Sequence, residues 1–234
     1  MCEITIEVNC SHCFCSKVVK NGKKGNGSQN YLCKSCRKQF VYEYLYWGAH
    51  PFKKRLAMNM LLKGSGIRDV AAVLKISKGA VVSTLLKAVE GLVIKPSKKF
   101  YHMVQIDEVY TFVKSKNKKV WLLYAYCAES DEILALTLGK RSKKTLKDLL
   151  KRLGAITVNF YCTDAWKVFS EVLDPNQHLV GKRFTKAIEG VNTSLRASCR
   201  RIHRRTTGFS KKVTNHWAAL RFTVWHRNTR ASYI

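Results

Sequence analysis

The sequence predicts a multidomain chain that ends in a mixed-sheet α/β domain, and three observations lead there. Two Cys-x2-Cys pairs, Cys10/Cys13 and Cys33/Cys36, sit near the start. Apolar residues then recur at helical spacing from Phe52 to about Leu92. From Tyr101 onward, three alternating strand patterns give way to helices and strands in turn. A chain of 234 residues holds one mid-sized domain and one or two small ones. Its hydrophobic fraction of 46% is enough to bury a core, which excludes a disordered polymer.

The charge is lopsided. Lysine and arginine total 43 against 15 acids, a formal net charge of +28. Such a chain is expected to bind a polyanion through counterion release, a nucleic acid first of all; a solvated basic surface or a ribosome-associated protein is the plainer alternative. The acids are unevenly placed, and Glu189 is the sole one after Asp174. No run of about 18 apolar residues occurs, so no membrane span is expected. The start "MCEITIEVNC" lacks the basic and apolar regions of a signal peptide. Nine cysteines, an odd number, in a chain of this kind point to reduced thiols and a metal site, not a disulfide framework.

The cysteine module comes first. Two residues between cysteines let both thiolates of a turn face one ion, and two such turns complete a tetrahedral site. Cys10, Cys13, Cys33 and Cys36 are therefore expected to hold a structural Zn2+, in a zinc ribbon spanning residues 1–46. His12 and Cys15 are rival ligands, and Phe40 is expected under the site. A module this small cannot bury enough apolar surface to fold without such a staple.

The helical module follows, over residues 47–95. Leu56, Met60 and Leu61 fit one helix, and "KGSG" breaks it. Ile67, Val70, Ala71 and Leu74 fit a second. After a short turn, Ser77 is an N-cap for a third that carries Val81, Leu85 and Val89 on one face. A helix, then two short helices about a turn, reads as a helix-turn-helix. Its second helix, 77–88, would meet DNA through Ser77, Lys78, Ser83 and Lys87, which lie off the apolar stripe. A plain helical bundle for packing or dimerisation is the competing reading.

The last module, residues 96–234, begins in the linker "KPSKKF". "HMVQIDEVYTFV", "KKVWLLYAYCA" and "DEILALTLG" are three antiparallel strands. "SKKTLKDLLKRL" is an amphipathic helix, "AITVNFYC" a strand, "AWKVFSEVL" a short helix and "HLVGK" a short strand, and a closing helix starts near Phe184. The order β-β-β-α-β-α-β-α is ribonuclease-H-like. Asp107 lies in the first strand and Asp164 directly after the fourth. Parallel pairing of those strands would set the two carboxylates side by side. Glu189 lies on the closing helix, on a stripe with Asn192 and Arg196 beside the apolar face. Glu108 is a rival to Asp107 for the first position, but strand alternation sends it to the opposite face. Three carboxylates meeting at one point suit Mg2+ or Mn2+, hard ions that take oxygen ligands. Paired ions of that kind support in-line phosphoryl displacement. Taken singly, Asp164 also suits a helix cap, and Glu189 also suits a helix dipole.

"IDE", "TDAW", "HLVGKRFTKAIEGVNTSLR", "RRTTGFSK" and the later His216 resemble the transposases of the Insertion Sequence One family. Its most specific part is the run from His178 to Arg196, with 24 residues between Asp164 and Glu189. The resemblance implies a DDE-type transposase with Asp107, Asp164 and Glu189 as catalytic acids and metal ligands. It implies recognition of the terminal inverted repeats of an insertion sequence, then metal-dependent strand cleavage and transfer into target DNA. It implies a homodimer or higher oligomer, since two DNA ends must meet one target. Arg196, Arg201, Arg204, Arg205 and Lys211 would hold the DNA backbone, with Asn192 on the same surface, and His178 and Lys182 would lie near the scissile region. A cytoplasmic, nucleoid-associated prokaryotic protein is expected. A non-catalytic zinc-ribbon regulator and a nuclease without joining activity are the alternatives.

Overall fold

The structure is a computed structural model, and it describes residues 7–42, 50–154, 156–203 and 208–230. The chain divides into two compact units, one ending at Lys53 and one beginning at Lys54.

The first unit is a three-stranded antiparallel sheet. Strands β1 (Val18–Lys23), β2 (Gln29–Cys33) and β3 (Gln39–Val41) lie in sequence order. The tip between β1 and β2 is a turn at residues 24–28, with Gly27 at a φ of 79°, a backbone region that glycine enters without strain. The small core is Cys10, Cys33 and Phe40, and Tyr31 stacks on Phe40 with ring centroids 5.7 Å apart. Phe40 thus lies where the sequence placed it.

The second unit contains the helical module and the larger sheet. Helices α1 (Pro51–Leu62), α2 (Ile67–Leu74) and α3 (Lys78–Val89) match the apolar spacing. Ser77 caps α3 by accepting the Ala80 amide at 3.0 Å, worth about 1 kcal/mol. Gly64, at a φ of 80°, turns the chain between α1 and α2 so tightly that a Cβ would sit 2.8 Å from the Ala197 carbonyl oxygen. Ala57, Val70, Ala71, Leu74 and Val81 make a small core among the three helices. Met58, Leu62, Leu85 and Val89 face the other way, into the core of the α/β part. The linker at Pro96 therefore follows helices that already share a core with the sheet beyond it.

That sheet has five strands: β4 (Phe100–Phe112), β5 (Lys119–Cys127), β6 (Glu132–Gly139), β7 (Thr157–Thr163) and β8 (His178–Val180). Their spatial order is β6-β5-β4-β7-β8. β4, β5 and β6 pair antiparallel, while β7 pairs parallel with β4 and β8 parallel with β7. A parallel neighbour requires a crossover, supplied by α4 (Lys143–Leu153). Helices α4 and α5 (Lys167–Val172) cover one face, burying Leu146, Leu149, Leu153 and Phe169 against Val104, Ile106 and Leu123. Helices α6 (Lys182–Ser198) and α7 (Val213–Thr229) cover the other, with Ile188, Val191, Leu195 and Phe222 against Val109, Leu122 and Tyr124. Each fully buried leucine contributes about 1.5–3 kcal/mol, so the sheet is firmly held between its two layers.

His216 on α7 is fully buried, with Nε2 3.2 Å from Thr111 Oγ1. Burial, with the neighbouring Arg201 charge, brings its pKa down from 6.5 to about 4. In the folded state the ring stays neutral where the unfolded chain takes a proton. The stability that follows is complete above about pH 6.5 and is lost as the pH falls toward 4, on the order of 3 kcal/mol. Urea titrations across this window should show a shallower loss for His216→Gln than for the wild type. Parallel slopes would mean that His216 does not carry the effect.

Candidate active site

β4 positions the site. Its parallel register with β7 pairs Gln105 with Cys162, so two residues further along Asp107 comes level with Asp164. Asp164 follows the last residue of β7, where its Oδ1 accepts the Trp166 amide at 3.0 Å and closes the turn into α5. Glu189 is exposed on α6, one turn before Asn192.

Asp107 is held on both oxygens. The Glu108 amide donates to Oδ1 at 2.7 Å, and the Asn192 side-chain amide donates to Oδ2 at 2.6 Å. Asn192 is itself fixed by the buried Tyr124 hydroxyl, which donates to its Oδ1 at 2.7 Å. Gln105, on the same face as Asp107, accepts the Ile188 amide at 2.8 Å and so locks α6 against β4. Burial raises the Asp107 pKa above its ordinary value; the two hydrogen bonds oppose this, and the charges of Asp164 and Glu189 add to it. Glu189 does not belong to the group of acids whose oxygens lie within 4.8 Å of one another.

Glu108 faces the α4–α5 side, opposite Asp107, as alternation requires. Even so, one carboxylate oxygen from each of Asp107, Glu108 and Asp164 lies within 4.8 Å of the others. The reason is that β7 has ended at this level, so no strand separates the two faces of the sheet. Arg141, after β6, donates through Nε to Glu108 Oε1 at 2.6 Å. Its guanidinium lies over Trp121 and Trp166, 5.2 and 4.6 Å from the ring centroids. Burial raises Glu108 to a pKa of about 7 despite Arg141. Oxygen ligands gathered at this spacing, with charges that resist one another, suit a hard divalent cation.

In the first unit, the sulfurs of Cys10, Cys13, Cys33 and Cys36 also lie within 4.8 Å of one another. Cys10 and Cys36 are 3.6 Å apart, as are Cys13 and Cys33, and all four are free thiols. Tetrahedral zinc with bonds of about 2.3 Å separates its sulfurs by about 3.8 Å, so the four residues fit. Cys15 is occupied elsewhere, 3.0 Å from Ser35 Oγ, and His12 gives its backbone amide to Cys10.

The expected DNA contacts divide. Lys78, Ser83, Lys87, Lys182 and Lys211 are exposed. Ser77 spends its hydroxyl on the α3 cap. His178 is half-buried with Nε2 2.7 Å from Thr163 Oγ1, one residue from Asp164. Arg196 is half-buried. Arg204 and Arg205 lie outside the described residues. Two expectations are corrected. Asn192 is buried and its side chain is committed to Asp107 and Tyr124, so it orients a carboxylate instead of lying on an open surface. Arg201 is buried, donating to Ser210 Oγ and the Asn215 carbonyl, so it ties the chain ahead of α7 together. Sequence reasoning misses Arg141 and Tyr124, and weighs Glu108 only as a rival to Asp107 on the opposite face. The Asp-Glu tandem was the only sequence signal for any of them.

Among the described residues, no helix is long and apolar enough to cross a membrane. Residues 102–224 match the family model described as IS1 transposase, a span that contains Asp107, Asp164 and Glu189. The chain is 36% identical over 112 residues to the insertion element iso-IS1n protein InsB of Shigella dysenteriae, covering 48% of this chain and 86% of that one. It is 32% identical over 123 residues to the insertion element IS1 2 protein InsB of Escherichia coli (strain K12), covering 53% and 74%. Among solved structures, a chain of the simian T-cell lymphotropic virus intasome in complex with PP2A regulatory subunit B56 gamma aligns over 72% of this chain and 64% of its own. At 15% identity and a TM-score of 0.36, that likeness is too slight to argue from. By the family model and these relatives, the chain belongs to the IS1 transposase family.

Proposed function

We propose that this transposase works as a DDE-type enzyme, with Asp107, Asp164 and Glu189 holding divalent cations at the end of a ribonuclease-H-like sheet. The observation that carries this is the β4–β7 register, which sets Asp107 level with Asp164 beneath the helix that bears Glu189. Mg2+ or Mn2+ bound there would neutralise a phosphodiester and favour in-line attack on it. The chain's own part is positioning. Tyr124 and Asn192 fix the Asp107 carboxylate, and the Trp166 amide fixes that of Asp164. His178 and the exposed Lys182 flank the strand ends, where a DNA backbone would pass. Exposed lysines, with Arg196 and with Arg204 and Arg205, would hold the backbone.

The four cysteines would bind structural zinc in a zinc ribbon, and α2 and α3 would act as a helix-turn-helix. Together they would recognise the terminal inverted repeats. Ser83 and Lys87 sit one turn apart on the exposed face of α3, placed to meet a groove. Joining two ends to one target calls for at least a dimer.

Purified protein, end DNA and Mn2+ should yield joined products on a gel. Asp164→Asn should lower both cleavage and joining by at least about a hundredfold while leaving DNA binding intact. Joining at the wild-type rate by the variant would remove Asp164 from the site, and cleavage without joined species in the wild type would favour a nuclease. Cys33→Ser should reduce bound zinc from one per chain to near none, with melting of the larger unit unchanged. Zinc retained at full stoichiometry would refute the four-cysteine assignment.

A further inference from the structure

Glu108 has no place in a three-acid site, yet it is buried beside one. Its side chain is only 5% exposed. One oxygen takes the Arg141 guanidinium, while the other, Oε2, is buried without any hydrogen-bond partner. A buried charged acceptor left unsatisfied costs several kcal/mol, so such groups normally find a partner. Nothing else on the α4–α5 face supplies a donor to Oε2. What Glu108 does approach is acid: an oxygen each from Asp107 and Asp164, within 4.8 Å.

Arg141 makes the arrangement more pointed. It is held in place by two indole faces and presents one cation to a group of carboxylates. A single guanidinium on one oxygen leaves the group short of positive charge. A structural clasp between β4 and the loop after β6 would need only an Arg–Glu pair with both oxygens engaged, far from other acids.

We propose that Glu108 is a fourth carboxylate ligand of the divalent cation, reaching it from the face of the sheet opposite Asn192, with Arg141 as a counter-charge that competes with the cation for it. The proposal rests on the metal reading of Asp107 and Asp164. It makes the centre asymmetric. On the α6 side Asp107 is oriented by neutral amides, and on the α4–α5 side Glu108 is shared with a guanidinium that lies over two indole rings.

Mn2+ binding to the zinc-loaded full-length chain, read by the electron paramagnetic resonance of free Mn2+, tests this without any turnover. Glu108→Gln should weaken Mn2+ binding at least about tenfold. Arg141→Gln removes a competing cation and keeps every ligand, so it should bind Mn2+ as tightly as the wild type or more tightly. Wild-type affinity in Glu108→Gln, or equal weakening in both variants, would make the pair a structural clasp and overturn the proposal. Should Glu108→Gln fail to fold, Arg141→Gln decides alone, since weaker binding there contradicts the assignment. Asp107→Asn and Asp164→Asn separate the two levels: if neither weakens Mn2+ binding, the metal reading itself fails, and if both do while Glu108→Gln does not, only the fourth ligand is lost.

Discussion

The structure depends on β4 being paired on both edges with opposite senses. Antiparallel pairing with β5 continues the run of hairpins, and parallel pairing with β7 closes the crossover through α4. The second pairing brings together two aspartates 57 positions apart in the chain. A shift of one residue in that register would turn Asp107 away from Asp164, because side chains alternate between faces. Gln105 protects the register from above: its side chain bonds the backbone of α6 while its own backbone pairs with Cys162. The helix that carries Glu189 is thus tied to the strand that carries Asp107, two residues from it.

Gathering acids at one place is costly, and the fold answers that cost locally. Asp107 receives a backbone amide and a side-chain amide, Asp164 a backbone amide, and Glu108 a guanidinium. None of the exposed lysines that make the chain so basic does this. Several cations are occupied in holding the fold: Arg201 is buried by Ser210, Arg200 pairs with Asp69 at the start of α2, and Arg227 with Asp131. A net charge of +28 therefore overstates the surface that could meet DNA.

The sequence made the sheet and the acids legible because both follow local rules. Alternation marks β4 to β6, and an apolar run marks the half-covered β7. Cys-x2-Cys spacing marks the sulfur cluster, and helical spacing marks α1 to α3. What it left obscure depends on three-dimensional neighbours. Helix α7 has no single apolar stripe, since α3 packs on it from one side and the sheet from another, burying His216, Ala218, Leu220, Phe222 and Val224 around its circumference. Asn192 read as a polar residue beside a carboxylate, and only the buried Tyr124 hydroxyl shows that it is enclosed. Glu108 was assigned to the correct face. The inference that this face lies apart from Asp107 failed because β7 stops before Asp164, and beyond a strand end the two faces meet.

The acids differ in exposure in a way that sets a direction. Asp107, Glu108 and Asp164 are all half-buried, whereas Glu189 is open to solvent. The α4–α5 side is backed by Trp121, Trp166 and Arg141. On the other side, Glu189 and the start of α6 are open, and there Lys182 and Lys186 stand exposed and no other acid follows in the chain. On the proposed DDE reading, a carboxylate at this open rim would face the phosphate beside the half-buried acids, which would account for a lone acid in so basic a stretch.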